Sequence, residues 1–233
     1  MGARACYNVN STRAREDIGM AAEQSGVRRW DELERRGVIR RFIKTGTIYV
    51  PDEAATELYV IKEGRVALNL LSAEGRTLTV RVVKAGEIFG HAALLSDGSY
   101  DTFAQALRPT TVAAVRRDEL ESLMGERPAL ALALMDDLGR HSQALSRQLE
   151  SVAFKSVPAR LAALLLDLAQ PSGREEEVST GRWTHQELAD MINAYRETTT
   201  KVLNQFRSAK LIDVDRRGVT LLDVSKLREV AQH

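Results

Sequence analysis

Within one short stretch stand Arg196, Glu197, Thr200, Lys201 and Asn204, side chains whose hydrogen-bonding groups match the edges of base pairs. Arginine can donate two hydrogen bonds to guanine O6 and N7, glutamate can accept from cytosine N4, and Thr, Lys and Asn can reach bases or phosphates. If the segment is helical these residues share one face, and Thr199, Val202, Leu203 and Phe206 share the opposite one. A carboxylate facing DNA is repelled by phosphate, so Glu197 is expected to aim at a base or to orient Arg196.

The residues upstream supply what such a helix needs for positioning. Thr184 followed by Glu187 forms a capping box, which starts a helix by satisfying two of its free amides. Leu188, Met191 and Ile192 give that helix an inner face, and Ala189 is small enough for a second helix to cross closely. Asn193 then tolerates a left-handed turn. Thr184 to Phe206 therefore predicts a helix-turn-helix. Downstream, Leu211–Asp215 and Val219–Leu222 flank Arg216-Arg217-Gly218, which predicts a hairpin whose arginines grip phosphate as a wing. The alternative is an amphipathic helix pair with a solvated charged face. Cap, turn and crossing residues in the right order argue against it.

Other chemistry finds little support. There is no phosphate loop, nucleophile elbow or metal-ligand cluster, and none of the four histidines (His91, His141, His185, His233) stands beside a convincing nucleophile in sequence. The single cysteine, Cys6, lacks the partners that a disulfide, a zinc site or an iron–sulfur cluster requires. An enzyme is therefore not expected.

The 233 residues are 44% hydrophobic and 28% charged, enough for one large domain or two small ones. No stretch approaches the ~20 apolar residues of a membrane span, and the first thirty residues hold no apolar signal core, so a cytoplasmic location is expected. The formal charge of +1 means that any DNA-binding surface must be local; from Arg182 onward nine Lys or Arg face seven Asp or Glu.

Residues 1–28 read as a flexible arm whose Arg4, Arg13 and Arg15 are either solvated or in touch with phosphate. From 29 to 127, strands at Thr47–Val50, Leu58–Lys62, Arg65–Leu71, Thr77–Val83 and Thr110–Arg116, punctuated by glycine, predict an antiparallel barrel or sandwich that ends in a short helix at Glu119–Met124. Pro128 opens a long helix to about residue 154. On it Leu134, Leu138, His141, Leu145, Leu149 and Val152 suggest a dimer seam of coiled-coil type; the alternative is packing on the chain's own barrel. Residues 155–233 then form the DNA-binding unit, with a helix at Ser156–Ala169 and a polar connection from Gln170 to Gly181 before the helix-turn-helix.

This order of parts resembles the CRP/FNR family, from about Arg40 to the C-terminus. The matching residues are Leu58-Tyr-Val-Ile-Lys-Glu-Gly64 with Val66, the Gly86-Glu-Ile-Phe-Gly90 turn and Arg196-Glu-Thr198. The resemblance implies an α+β fold: a jelly-roll antiparallel β-barrel of the cyclic-nucleotide-binding type, a long dimerisation helix and a C-terminal winged helix-turn-helix. It also implies a homodimer that binds double-stranded DNA at a palindrome, with RNA polymerase as a further partner and an activator's role. Arg196, Glu197 and Lys201 would read bases, while Thr184 and His185 would touch phosphate. Many members carry Arg where Lys201 stands, and lysine lacks the planar fork, so the half-site is left open.

The effector corner departs from the cyclic-nucleotide pattern. Counting from Gly90, the ribose-binding Glu position is His91, followed by Ala92, and the phosphate-binding Arg position is Asp101, followed by Thr102. A carboxylate where a guanidinium is needed disfavours cAMP. Ser146 matches a base-contacting position, although Leu145 replaces a polar neighbour. Haem at His91 is a minor alternative, because the accompanying cysteine has no counterpart at Phe89 and the amino-terminal proline ligand is missing. No cofactor is expected. Three readings of the barrel stay open: another small molecule, a sensing mechanism of a different kind, or a dimer active without effector. A more distant rival is a cyclic-nucleotide-type regulatory module of another protein.

Overall fold

A computed structural model describes residues 29–171, 178–216 and 218–232. The expected N-terminal arm, Arg217 and the middle of the polar connection lie outside the described residues.

A short helix, α1 (Asp31–Arg36), precedes two four-stranded antiparallel sheets. One sheet orders β1 (Val38–Phe42), β8 (Thr110–Arg116), β3 (Glu57–Glu63) and β6 (Ile88–Phe89). The other orders β2 (Thr47–Tyr49), β7 (Phe103–Ala106), β4 (Arg65–Leu71) and β5 (Thr77–Lys84). The five expected strands are present. Three more, at Val38–Phe42, Ile88–Phe89 and Phe103–Ala106, escaped the sequence pattern for physical reasons: the first is an edge strand almost wholly exposed and without alternation, and the second has two residues.

Between the sheets lies an apolar core built on aromatic rings. Tyr49 and Tyr100 stack at 3.7 Å and Tyr59 and Phe89 at 4.9 Å, with Ile61, Val66, Val83 and Val112 filling around them. The Tyr100 hydroxyl donates to the Glu57 carbonyl and the Tyr59 hydroxyl to the Glu57 carboxylate, which also holds Arg40. Two glycines are required by geometry. Gly64 closes the β3–β4 hairpin at φ 95°, where a Cβ would collide with Thr110 and Pro109, and Gly90 turns at φ 83° against Glu57 and Tyr59.

Gly90 leads into a 3-10 turn, His91–Leu94. After β8 come α2 (Arg117–Glu126) and α3 (Pro128–Phe154), a 27-residue helix with proline in its first turn. A second core under the barrel joins Trp30, Leu33, Leu58, Leu120, Leu123, Leu130 and Leu134. Leu134 is therefore corrected from the expected dimer seam: it is 2% exposed and packs inside its own chain. The same side of α3 carries His141, against Arg81 of β5, and Gln148, whose amide donates to the Thr79 carbonyl. The other expected seam residues differ. Leu138, Leu145 and Leu149 are exposed, Val152 is half-buried, and Met135 extends their stripe. The sequence pattern merges two neighbouring stripes into one.

The third unit starts with α4 (Val157–Leu168), capped by the Ser156 side chain. A small sheet orders β11 (Ile212–Asp215), β12 (Gly218–Leu221), β10 (Val178–Ser179) and β9 (Gln170–Pro171). With α5 (His185–Met191), α6 (Arg196–Ser208) and α7 (Val224–Val230) it encloses a core of Leu161, Leu165, Leu188, Leu203, Phe206, Ile212 and Leu227. Among the described residues no helix is long and apolar enough to cross a membrane.

Candidate nucleic-acid interface

The predicted capping box forms. The Thr184 hydroxyl accepts from the Glu187 amide at 3.1 Å, and the Thr184 amide donates to Glu187 Oε2 at 2.7 Å. Asn193 takes the left-handed conformation at φ 51° that ends α5 and redirects the chain, and fully buried Ala189 lets α6 cross close by. Thr199, Val202, Leu203 and Phe206 are buried on α6. Arg196, Glu197, Lys201 and Asn204 are consequently held outward, all exposed, by the packing of the opposite face.

Thr200 is half-buried and bonded to His185, with Oγ1 and Nδ1 2.8 Å apart, so this pair also ties α5 to α6. Glu197, Thr200, Lys201 and Asn204 line a shallow groove of about 750 Å³ together with Gln205 and Ser208. The last two were missed, although they follow Lys201 at helical spacings of four and seven. Arg216 is exposed in the β11–β12 turn.

The barrel grips this unit from behind. Glu187 divides its carboxylate, giving Oε2 to the cap and Oε1 to Arg108 Nη1 at 2.8 Å. Burial opposes the Glu187 charge, but these bonds more than offset it and hold its pKa below the ordinary carboxylate value. The Arg65 and Arg108 guanidinium groups lie 5.0 and 5.8 Å from the Trp183 ring. Arg76, in the β4–β5 hairpin, stacks on Tyr195 at 4.7 Å and donates to Asn193 Oδ1 at 3.4 Å. These contacts join residues far apart in sequence, which is why periodicity did not disclose them.

A crossed helix pair with a buried inner face and an exposed Arg/Glu/Lys/Asn outer face, joined to a double-sheet barrel and a long helix, is a recognisable assembly. The Crp-like helix-turn-helix domain matches residues 159–230, and the cyclic nucleotide-binding domain matches residues 39–127. This chain belongs to the CRP/FNR family of DNA-binding transcription regulators. Among its CRP/FNR relatives, the CRP-like cAMP-activated global transcriptional regulator of Mycobacterium tuberculosis is 27% identical over 194 residues, 82% of this chain and 87% of that one. The probable transcriptional regulator flp of Lacticaseibacillus casei is 26% identical over 82% of this chain and 86% of its own. In three dimensions, a CRP-family transcriptional regulator from Thermus thermophilus superposes with a TM-score of 0.70 at 28% identity, over 83% of this chain and 97% of that one.

Where the sequence pattern would put an effector, polar contacts form within this chain. His91 Nε2 donates to Asp137 Oδ2 of α3 at 2.9 Å, Arg81 Nη1 donates to His141 Nδ1 at 3.2 Å, and the two imidazole rings are 5.8 Å apart. Burial lowers the pKa of His141, and Arg81 and His91 lower it further. Burial works against the Asp137 charge, yet the bond from His91 and the charge of Arg81 keep its pKa below the usual carboxylate value. Thr102 is buried, whereas Asp101 is exposed. Of this turn, His91 reaches α3, whereas Gly90 lies against Glu57 and Tyr59 and Ala92 packs on the barrel core. Ser146 is exposed, with its hydroxyl turned back to the Ser142 carbonyl.

Proposed function

We propose that this CRP/FNR-family regulator acts as a homodimer on a palindromic DNA site and does so without cAMP. The observation that carries the reading is the outward face of α6, where Arg196, Glu197, Lys201 and Asn204 stand exposed on a helix whose other side is locked into a core. Base reading by Arg196, Glu197 and Lys201 follows from that placement, with phosphate contact by Thr184, His185 and Arg216 around it and Arg217 of the wing as a further expected contact. The second copy is expected on the stripe of Met135, Leu138, Leu145 and Leu149, which leaves large apolar side chains in water unless another helix covers them. RNA polymerase is the expected further partner of the bound dimer.

Independence from cAMP rests on charge and occupancy. A cyclic phosphate would meet the exposed carboxylate of Asp101, and His91 is committed to Asp137 where a ribose-binding carboxylate would be needed. The same bond engages Nε2, one of the two nitrogens through which His91 would ligate haem. A ligand of another class, if one acts, must prefer one arrangement of the long helices over another. Titrating cAMP into a mixture of dimer and target duplex is expected to leave the affinity unchanged. A rise of about tenfold or more, corresponding to roughly 1.4 kcal/mol, would overturn this part of the reading.

A further inference from the structure

Arg160 of α4 has an unusual set of partners. No carboxylate pairs with its guanidinium among the described residues, and all its bonds go to main-chain carbonyls. Nη1 donates to Val152 O at 3.3 Å and to Lys155 O at 3.1 Å, and Nη2 donates to Asn193 O at 3.4 Å. Its Nε is buried without a partner.

A half-buried cation whose Nε is shut off from water without a partner costs desolvation energy that an apolar side chain of the same length would avoid. The partners give the reason for tolerating it. Val152 lies in the last turn of α3 and Lys155 is its C-cap, where carbonyls lack intrahelical donors and the helix dipole favours a positive charge. Asn193 is the left-handed residue of the turn that opens α6. One planar group therefore touches the end of the long helix and the turn before the recognition helix at once. Lysine, with a single ammonium point, does not span both.

We propose that Arg160 is a positioning residue that fixes the angle between α3 and α6. The proposal rests on the dimeric, palindromic reading above, since only in a dimer does that angle set the separation of the two recognition helices.

The test uses the full chain in a Cys6→Ser background, with spin labels attached at Gln143→Cys on α3 and Arg207→Cys on α6. Dilution with unlabelled chain restricts the measured distances to one protomer. Arg160→Met is expected to broaden or shift the α3–α6 distance distribution and to weaken palindrome binding about tenfold, as the loss of one charge-assisted bond would. It should leave binding to a duplex with one half-site unchanged, and Arg160→Lys should fall between. A merely structural role would instead lower both affinities together. A distribution for Arg160→Met that superimposes on the parent overturns the proposal. If Arg160→Met does not fold, an unchanged distribution for Arg160→Lys does so. Should the parent show no preference for the palindrome, the dimeric reading falls while the distance measurement still decides the role of Arg160.

Discussion

Arg196 and Arg216 are both exposed, on α6 and in the β11–β12 turn, and the proposed reading gives them different chemistry on DNA. Arg196 opens α6 and in the proposed reading faces base edges, so Arg196→Ala is expected to cost ~1–3 kcal/mol of discrimination at one base pair. Arg216 sits in the hairpin turn, and Arg216→Ala should weaken all duplexes alike and lower the salt slope by about one. Affinities for a set of single-base variants over a range of salt check both; equal effects from the two substitutions would mean that the faces are assigned wrongly. At His141 the expected effect is on stability. Burial and Arg81 lower its pKa in the folded chain, so between the ordinary histidine value near 6.5 and that lower value the unfolded chain binds a proton which the folded chain refuses. Stability from this group is full above about pH 6.5 and is lost as the pH falls through that window. Melting curves from pH 7.5 to 5.5 should show the loss, and His141→Gln should remove it.

Among the elements, α3 separates packing from assembly. Leu134 belongs to the core beneath the barrel, so Leu134→Ala should cost about 2–5 kcal/mol of stability and leave the dimer intact. Leu149, 71% exposed, lies on the free stripe; Leu149→Glu should dissociate the dimer with little change in the melting of each chain. Sedimentation beside thermal melting distinguishes the two. The helix-turn-helix was legible in the sequence because its determinants are local: Thr184 and Glu187 are three residues apart, Asn193 marks the turn, and α6 alternates buried and exposed faces. The inward side of α3 was only half legible. Leu134 and Leu138 are neighbours at helical spacing, yet they differ in burial, and only the position of the barrel tells which of them faces inward. The edge strand at Val38–Phe42 and the link from Arg108 to Glu187 were not legible, since neither depends on a local period.

In the whole molecule, the barrel grips the helix-turn-helix through Arg108, Arg76 and Trp183. Arg108 and Arg76 hold α5 and the turn from the barrel side, and the outer face of α6 stays exposed, as DNA reading in the proposed model requires. Recognition is local in charge, as a formal net charge of +1 requires, and a two-fold dimer would repeat it with inverted symmetry. The most direct measurement of this account is selection of binding sites from random duplexes by the purified, effector-free protein. The account predicts enrichment of a palindrome whose half-sites are centred one helical turn apart, about 10 bp. Enrichment of no symmetric site by a folded dimer would contradict it.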